Sequence, residues 1–128
     1  MNISEIARTS GLTPRMIRHY EAQGLIPAPP RRASGYRSYS EADLARLNFI
    51  RRARALGFPL PEIASLLTLW QNPARASAEV KALALARAAT LKQQAEELEA
   101  MRASLERLAA ECQGNQSPAC PILEQLAS

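Results

Sequence analysis

The 128-residue chain is short of several things, and each shortage excludes a class of protein. Cysteine occurs only as Cys112 and Cys120, too few for the disulfide framework of a small secreted domain. No apolar run approaches the ~18 residues that a membrane helix needs. The first eleven residues carry polar side chains at helical spacing and hold no signal-peptide core, so the expected address is cytoplasmic. There are five glycines and no phosphate-cradling glycine-rich loop, and no nucleophile stands beside a base. An enzyme is therefore not expected. At 14.0 kDa the length suits one domain, or a small domain with an appendage.

What the chain does have is sorted unevenly. Residues 1–60 carry ten arginines, no lysine and four acids, a balance of +6, whereas residues 61–128 balance to −2. All six aromatics lie between positions 20 and 70. An arginine-only basic half points to a polyanion partner, with a merely solvated basic face as the bland alternative. Local pattern has to choose between them.

Ser4 is placed to cap a short helix that Gly11 ends. Thr13 then caps a second helix with Pro14 at its first position, running through Tyr20 to a stop at Gly24. Two short helices across a tight glycine-containing turn make a helix-turn-helix. Ile3, Ile6, Ala7, Leu12, Ile17 and Leu25 supply its core and leave Arg15, Arg18 and His19 facing outward. Pro27, Pro29 and Pro30 bar regular structure. Ser34-Gly35 between flanking strand-like residues then predicts a β-hairpin, a wing carrying Arg31, Arg32 and Arg37. Ser40 and Asp43 form a capping-box start for a third helix with Leu44, Leu47, Phe49, Ile50 and Leu56 as its apolar positions. Pro59 and Pro61 interrupt the chain before a fourth helix, Glu62 to Trp70, with Ile63, Leu66 and Leu67 inward.

From Ser77 to Glu111 there is neither Gly nor Pro, and strong helix formers dominate. Ala84, Leu91, Leu98 and Leu105 recur every seven residues, with Val80, Met101 and Leu108 beside them and Arg87 and Gln94 interrupting. A rod of roughly 50 Å leaves such a stripe wet unless it pairs with a second copy in a coiled coil or folds back on its own domain. Residues 113–119 read as a loop and Pro121 to Leu126 as a closing helix. The expected architecture is mainly α: a winged helix-turn-helix over 1–71, a dimerisation helix over 72–111, and a loop with a short terminal helix over 112–128.

A second helix presenting Arg15, Arg18 and His19 fits the major groove of double-stranded DNA, where arginine is the commonest reader of guanine edges. Wing arginines and tyrosine hydroxyls reach phosphates, which set register and most of the affinity. At the other end, Cys112 closes the long helix and Cys120 precedes the short one, where a helix N-terminus steadies a thiolate. Two thiolates without a third ligand suit a soft, low-coordinate monovalent ion such as Cu(I). Tetrahedral zinc wants four ligands, and the lone His19 lies in the DNA-facing helix. Inert cysteines and a disulfide switch stay open as alternatives.

Four segments together carry a family likeness: Ile3-Ser4-Glu5-Ile6-Ala7, Arg18-His19-Tyr20-Glu21, Gly24-Leu25-Ile26 and Gly35-Tyr36-Arg37-Ser38-Tyr39. They resemble the N-terminal signature of MerR-type transcriptional regulators. The loop Cys112-Gln113-Gly114 through Ser117-Pro118-Ala119-Cys120-Pro121-Ile122 is similar to that of the copper-responsive CueR/HmrR-type branch. In that branch a serine near the start of the dimerisation helix, matched here by Ser77, replaces the third cysteine of zinc- and mercury-sensing relatives. The iron–sulfur branch needs four cysteines and is excluded by count. No residues remain for the large C-terminal domain of the drug-sensing relatives, and this chain lacks the Cys/His-rich tail of some copper sensors.

The resemblance implies an antiparallel homodimer that activates copper-export or detoxification genes with Cu(I), and also Ag(I) or Au(I), as effector. It implies that RNA polymerase is served by metal-dependent distortion of promoter DNA. Metal ligands are then Cys112 and Cys120, with Ser77 setting selectivity and Lys81 balancing the anionic site. Arg15, Arg18, His19 and Tyr20 serve the recognition helix, Arg31, Tyr36, Arg37 and Tyr39 the wing, and Arg54 a phosphate. Tyr20 has a second reading, as packing between helix and wing. A sensor of another metal or of thiol oxidation, or a coiled-coil module whose basic domain docks an acidic partner, are the competing functions.

Overall fold

Side-chain caps fix where the first three helices begin in the computed structural model, which describes residues 1–30, 35 and 37–128. Helix α1 spans Ile3–Ser10, and its cap is Asn2, whose side-chain oxygen accepts from the Glu5 amide at 2.9 Å. Ser4, expected to cap, falls inside the first turn instead. Either residue type can cap, and Asn2 does so two positions earlier, bringing Ile3 into the helix. Gly11 ends α1 at φ +74°, a left-handed conformation that a side chain would strain. Helix α2, Pro14–Ala22, starts as expected: the Thr13 hydroxyl accepts from the Met16 amide at 3.1 Å, and Pro14 has no N–H to leave unsatisfied.

Helix α3, Glu41–Ala55, opens with the capping box formed by Ser40 and Asp43. Its Leu47 and Ile50 are fully buried. Leu56, expected inward, is 64% exposed because the helix stops at Ala55 and Leu56 becomes its C-cap. Helix α4, Leu60–Gln71, begins two residues earlier than expected and takes Pro61 into its first turn. The first amides of a helix have no intrahelical partner, so proline there removes nothing. Ile63, Leu66 and Leu67 are buried as expected.

These four helices enclose one core. Ile6, Ile17, Ile26, Leu47, Ile50 and Ile63 are its large fully buried side chains, each worth roughly 1.5–3 kcal/mol of burial. The wing is seen in part. Residues 31–34 and 36 of the predicted wing, with Arg31, Arg32 and Tyr36, lie outside the described residues, and among those described there is no strand. Arg37 is a single bridge residue, the Ser38 amide donates to the Pro30 carbonyl at 3.0 Å, and Tyr39 exchanges two backbone bonds with Met1 at 2.7 and 2.8 Å.

Helix α5 spans Ser77–Glu111, 35 residues inside the stretch between Pro73 and Gly114, and buries none of them. The chain divides into two compact units inside it, Met1–Ala84 and Leu85–Ser128. In the second unit Leu91, Leu98, Met101 and Leu105 are exposed, so the seven-residue stripe is uncovered within one chain. Helix α6, Pro121–Ala127, closes the chain. No helix among the described residues is long and apolar enough to cross a membrane.

Candidate nucleic-acid interface and metal centre

On α2 the helical period separates two faces. Ile17 and Tyr20 turn into the core, whereas Arg15, Arg18 and His19 are exposed. Tyr20, grouped with the recognition residues on sequence, is only 3% exposed. It packs with the core, its ring 5.9 Å from that of His19. Arg54 on α3 is exposed, as a phosphate contact requires.

The base of the wing departs from expectation. Tyr39 was expected to offer its hydroxyl to a phosphate, but the residue is 3% exposed and its hydroxyl donates to Glu21 Oε1 at 2.5 Å. Glu21 also pairs with the Arg37 guanidinium. The Glu21 side chain is 7% exposed and that of Arg37 is 37% exposed, so Arg37 makes the pair while part of its side chain stays open to solvent. The Tyr39 hydroxyl, followed by the Glu21 charge, raises the Arg37 pKa above its ordinary value. Burial, followed by the bond to Glu21, holds the Tyr39 phenol above the usual phenol range. Sequence reasoning assigned Glu21 no role. The available signal was an acid on the recognition helix of a strongly basic half.

Cys112 and Cys120 come together in the second unit. Cys112 follows the last residue of α5, and Cys120 occupies the N-cap position of α6. Their sulfurs stand 3.9 Å apart and both residues are partly buried. The turn that joins them is built from side-chain caps: the Ser117 amide donates to Asn115 Oδ1 at 2.9 Å and the Ala119 amide to Ser117 Oγ at 3.3 Å. The Leu123 amide at the start of α6 lowers the Cys120 pKa below the ordinary thiol value. The Ile122 amide and the Cys112 thiol add to this against partial burial.

Two metal–thiolate bonds of about 2.3 Å in line span about 4.6 Å, so sulfurs at 3.9 Å are within reach of one shared ion and need to part by only about 0.7 Å to hold it linearly. Among the described residues no cluster of three or more His, Cys, Asp or Glu is present, leaving the pair as a two-sulfur donor set. Ser77 opens α5, and it and Lys81 are exposed and belong to the first unit.

Comparison with known proteins matches these two units to one family. The family profile for the MerR HTH family regulatory protein covers residues 1–69, and the profile described as MerR, DNA binding covers residues 44–108. A probable heavy metal-dependent transcriptional regulator of Haemophilus influenzae is 50% identical over 98% of this chain and 98% of its own. The HTH-type transcriptional regulator CueR of Yersinia pestis is 45% identical over 99% of this chain and 91% of its own. Among solved structures, the transcription regulator PbrR691 of Ralstonia metallidurans CH34, in complex with lead(II), is similar at a TM-score of 0.85. It has 37% identity and covers 98% of both chains.

Proposed function

The chain belongs to the MerR family of helix-turn-helix transcriptional regulators, whose members here are regulators and not enzymes, and from that premise we propose that it is a Cu(I)-responsive activator. It also takes Ag(I) and Au(I), and it switches on copper-export or detoxification genes. The observation that carries the metal reading is the thiol pair, two partly buried sulfurs 3.9 Å apart at the junction of two helices. Cys112, at the end of α5, and Cys120, at the start of α6, would hold a soft ion, which would supply a positive charge between the two thiolates.

The chain's own residues do the rest. The α6 amides stabilise the anionic sulfur of Cys120, and the short turn over residues 113–119 keeps Cys112 within reach of it. Ser77, standing where zinc- and mercury-sensing relatives have a third cysteine, withholds a third thiolate and so disfavours dications, with Lys81 balancing charge. Arg15, Arg18 and His19 read base edges in the major groove, while Arg37, Arg54 and the wing's Arg31 and Tyr36 hold phosphates. Leu91, Leu98 and Leu105 join two copies in an antiparallel coiled coil, so that two α2 helices address a two-fold symmetric promoter. Loading the thiol pair favours one dimer arrangement. The accompanying distortion of the promoter DNA, a bend and an undertwist, aligns it for RNA polymerase.

X-ray absorption on protein loaded with Cu(I) under reducing conditions tests the site. Two sulfur ligands, lost in Cys112→Ser and Cys120→Ser, are expected; a shell of three or four with nitrogen or oxygen would overturn it. The lead(II) held by PbrR691 favours a second reading, the same build tuned to another heavy metal. Competitive titration separates the two, because tighter binding of Pb(II) or Zn(II) than of Cu(I) would replace the copper assignment.

A further inference from the structure

The carboxylate of Glu21 is the one acid on the helix that presents Arg15, Arg18 and His19, and its oxygens are taken by the base of the wing. A nearly buried carboxylate on a surface meant for a polyanion opposes that partner, so its presence calls for a gain elsewhere. The geometry supplies one. Two oxygens on one side chain take the Tyr39 hydroxyl and the Arg37 guanidinium, residues 18 and 16 positions further along the chain. Tyr39 is itself anchored, its ring in the core and its backbone doubly bonded to Met1. Arg37, by contrast, is only partly covered, and a free arginine loses much rotamer freedom when it settles on a phosphate.

We propose that Glu21 is a positioning residue for DNA binding: it fixes the Arg37 guanidinium against the recognition helix, so that the part left open to solvent meets the phosphate backbone already oriented. The inference rests on the reading of α2 and Arg37 as DNA-facing. It adds that the wing and the recognition helix bind as one preorganised surface rather than as two independent ones.

The sign of one substitution tests it. Glu21→Gln removes a negative charge, and Coulomb attraction alone would tighten binding to DNA. Positioning predicts the reverse. The full-length protein is titrated on a duplex that the wild-type chain has selected from a randomised library, with thermal unfolding followed in parallel. Glu21→Gln is expected to bind roughly tenfold more weakly, the loss of one charge-assisted contact. In an Arg37→Gln background the same change is expected to cost nothing, because there is no guanidinium left to place. Tyr39→Phe keeps the buried ring and removes only the hydroxyl, so it serves if Glu21→Gln fails to fold. It is expected to weaken binding two- to threefold, a loss that also vanishes without Arg37.

Equal or tighter binding by a folded Glu21→Gln protein, or a penalty that persists without Arg37, overturns the proposal and leaves Glu21 a residue of fold stability alone. A wild-type chain that selects no duplex is a different result: it removes the DNA-facing reading and this inference together.

Discussion

Leu98 stands in the middle of α5, 63% exposed, at the centre of the stripe Ala84, Leu91, Leu98 and Leu105. Replacing it by alanine removes three carbons, each worth about 0.8 kcal/mol when fully buried. With 63% of the residue free to be covered, the loss is about 1.5 kcal/mol per copy. A two-fold interface counts it twice, so dimerisation weakens by about 3 kcal/mol, roughly two decades in Kd. Alanine is the best helix former, which keeps the helix intact and confines the change to pairing. Sedimentation equilibrium over a concentration series, with circular dichroism at each point, reads both quantities. The expected result is a dimer for the wild type, a monomer–dimer mixture for Leu98→Ala, and equal helicity. A wild-type chain that sediments as a monomer, or a variant that dimerises as tightly, would refute the assignment of this stripe to a second copy.

Further outcomes follow from individual contacts. Ile63→Ala, at a fully buried site, should cost about 2–5 kcal/mol in urea unfolding, the range for emptying a core position. Thr13→Ala removes the α2 cap and should cost roughly 0.5–2 kcal/mol in the same assay. Tyr39 has a phenol pKa raised in the folded state above its ordinary 10.0, so folding favours its protonated form. That stability is fully present below pH 10.0 and is lost as pH rises through the folded value, and Tyr39→Phe should flatten the alkaline limb of a stability–pH curve. Cys112→Ser should abolish metal-dependent transcription in a purified system while leaving binding to the selected duplex within twofold, since the thiols and the α2 arginines belong to different units.

The parts of this protein that were readable from sequence are those whose cause is local. The long α5 follows from the absence of Gly and Pro between Pro73 and Gly114, and the helix, Ser77–Glu111, ends within four residues of each, because those two residue types are the strongest helix breakers. The α2 and α3 starts were readable for the same reason: Thr13 with Pro14, and Ser40 with Asp43, are complete signals within four residues. Where two local signals compete, the reading slipped. Asn2 and Ser4 both cap well, and the one that admits Ile3 to the helix wins. Leu56 continues the apolar period of α3 on paper, yet the backbone leaves the helix before that period can carry it inward.

Tyrosines were the harder case, for a physical reason. A tyrosine has an apolar body and a polar tip, so its position in a pattern does not say which end decides its place. Tyr20 and Tyr39 both went to the core, and for Tyr39 the decision was made by a carboxylate 18 residues away that accepts its hydroxyl. Without Glu21 a buried phenol at that place would lack the partner that offsets its desolvation, and exposure toward a phosphate would be the better solution. The fate of Tyr39 and the role of Glu21 are therefore one fact, set by a long-range pairing that no periodicity encodes. The cysteines differ because their separation is short enough for local chemistry to settle it. Cys112 and Cys120 stand at opposite ends of one brief turn capped by Asn115 and Ser117, so where one helix stops and the next begins was legible, while the 3.9 Å approach of the sulfurs comes from the folded turn.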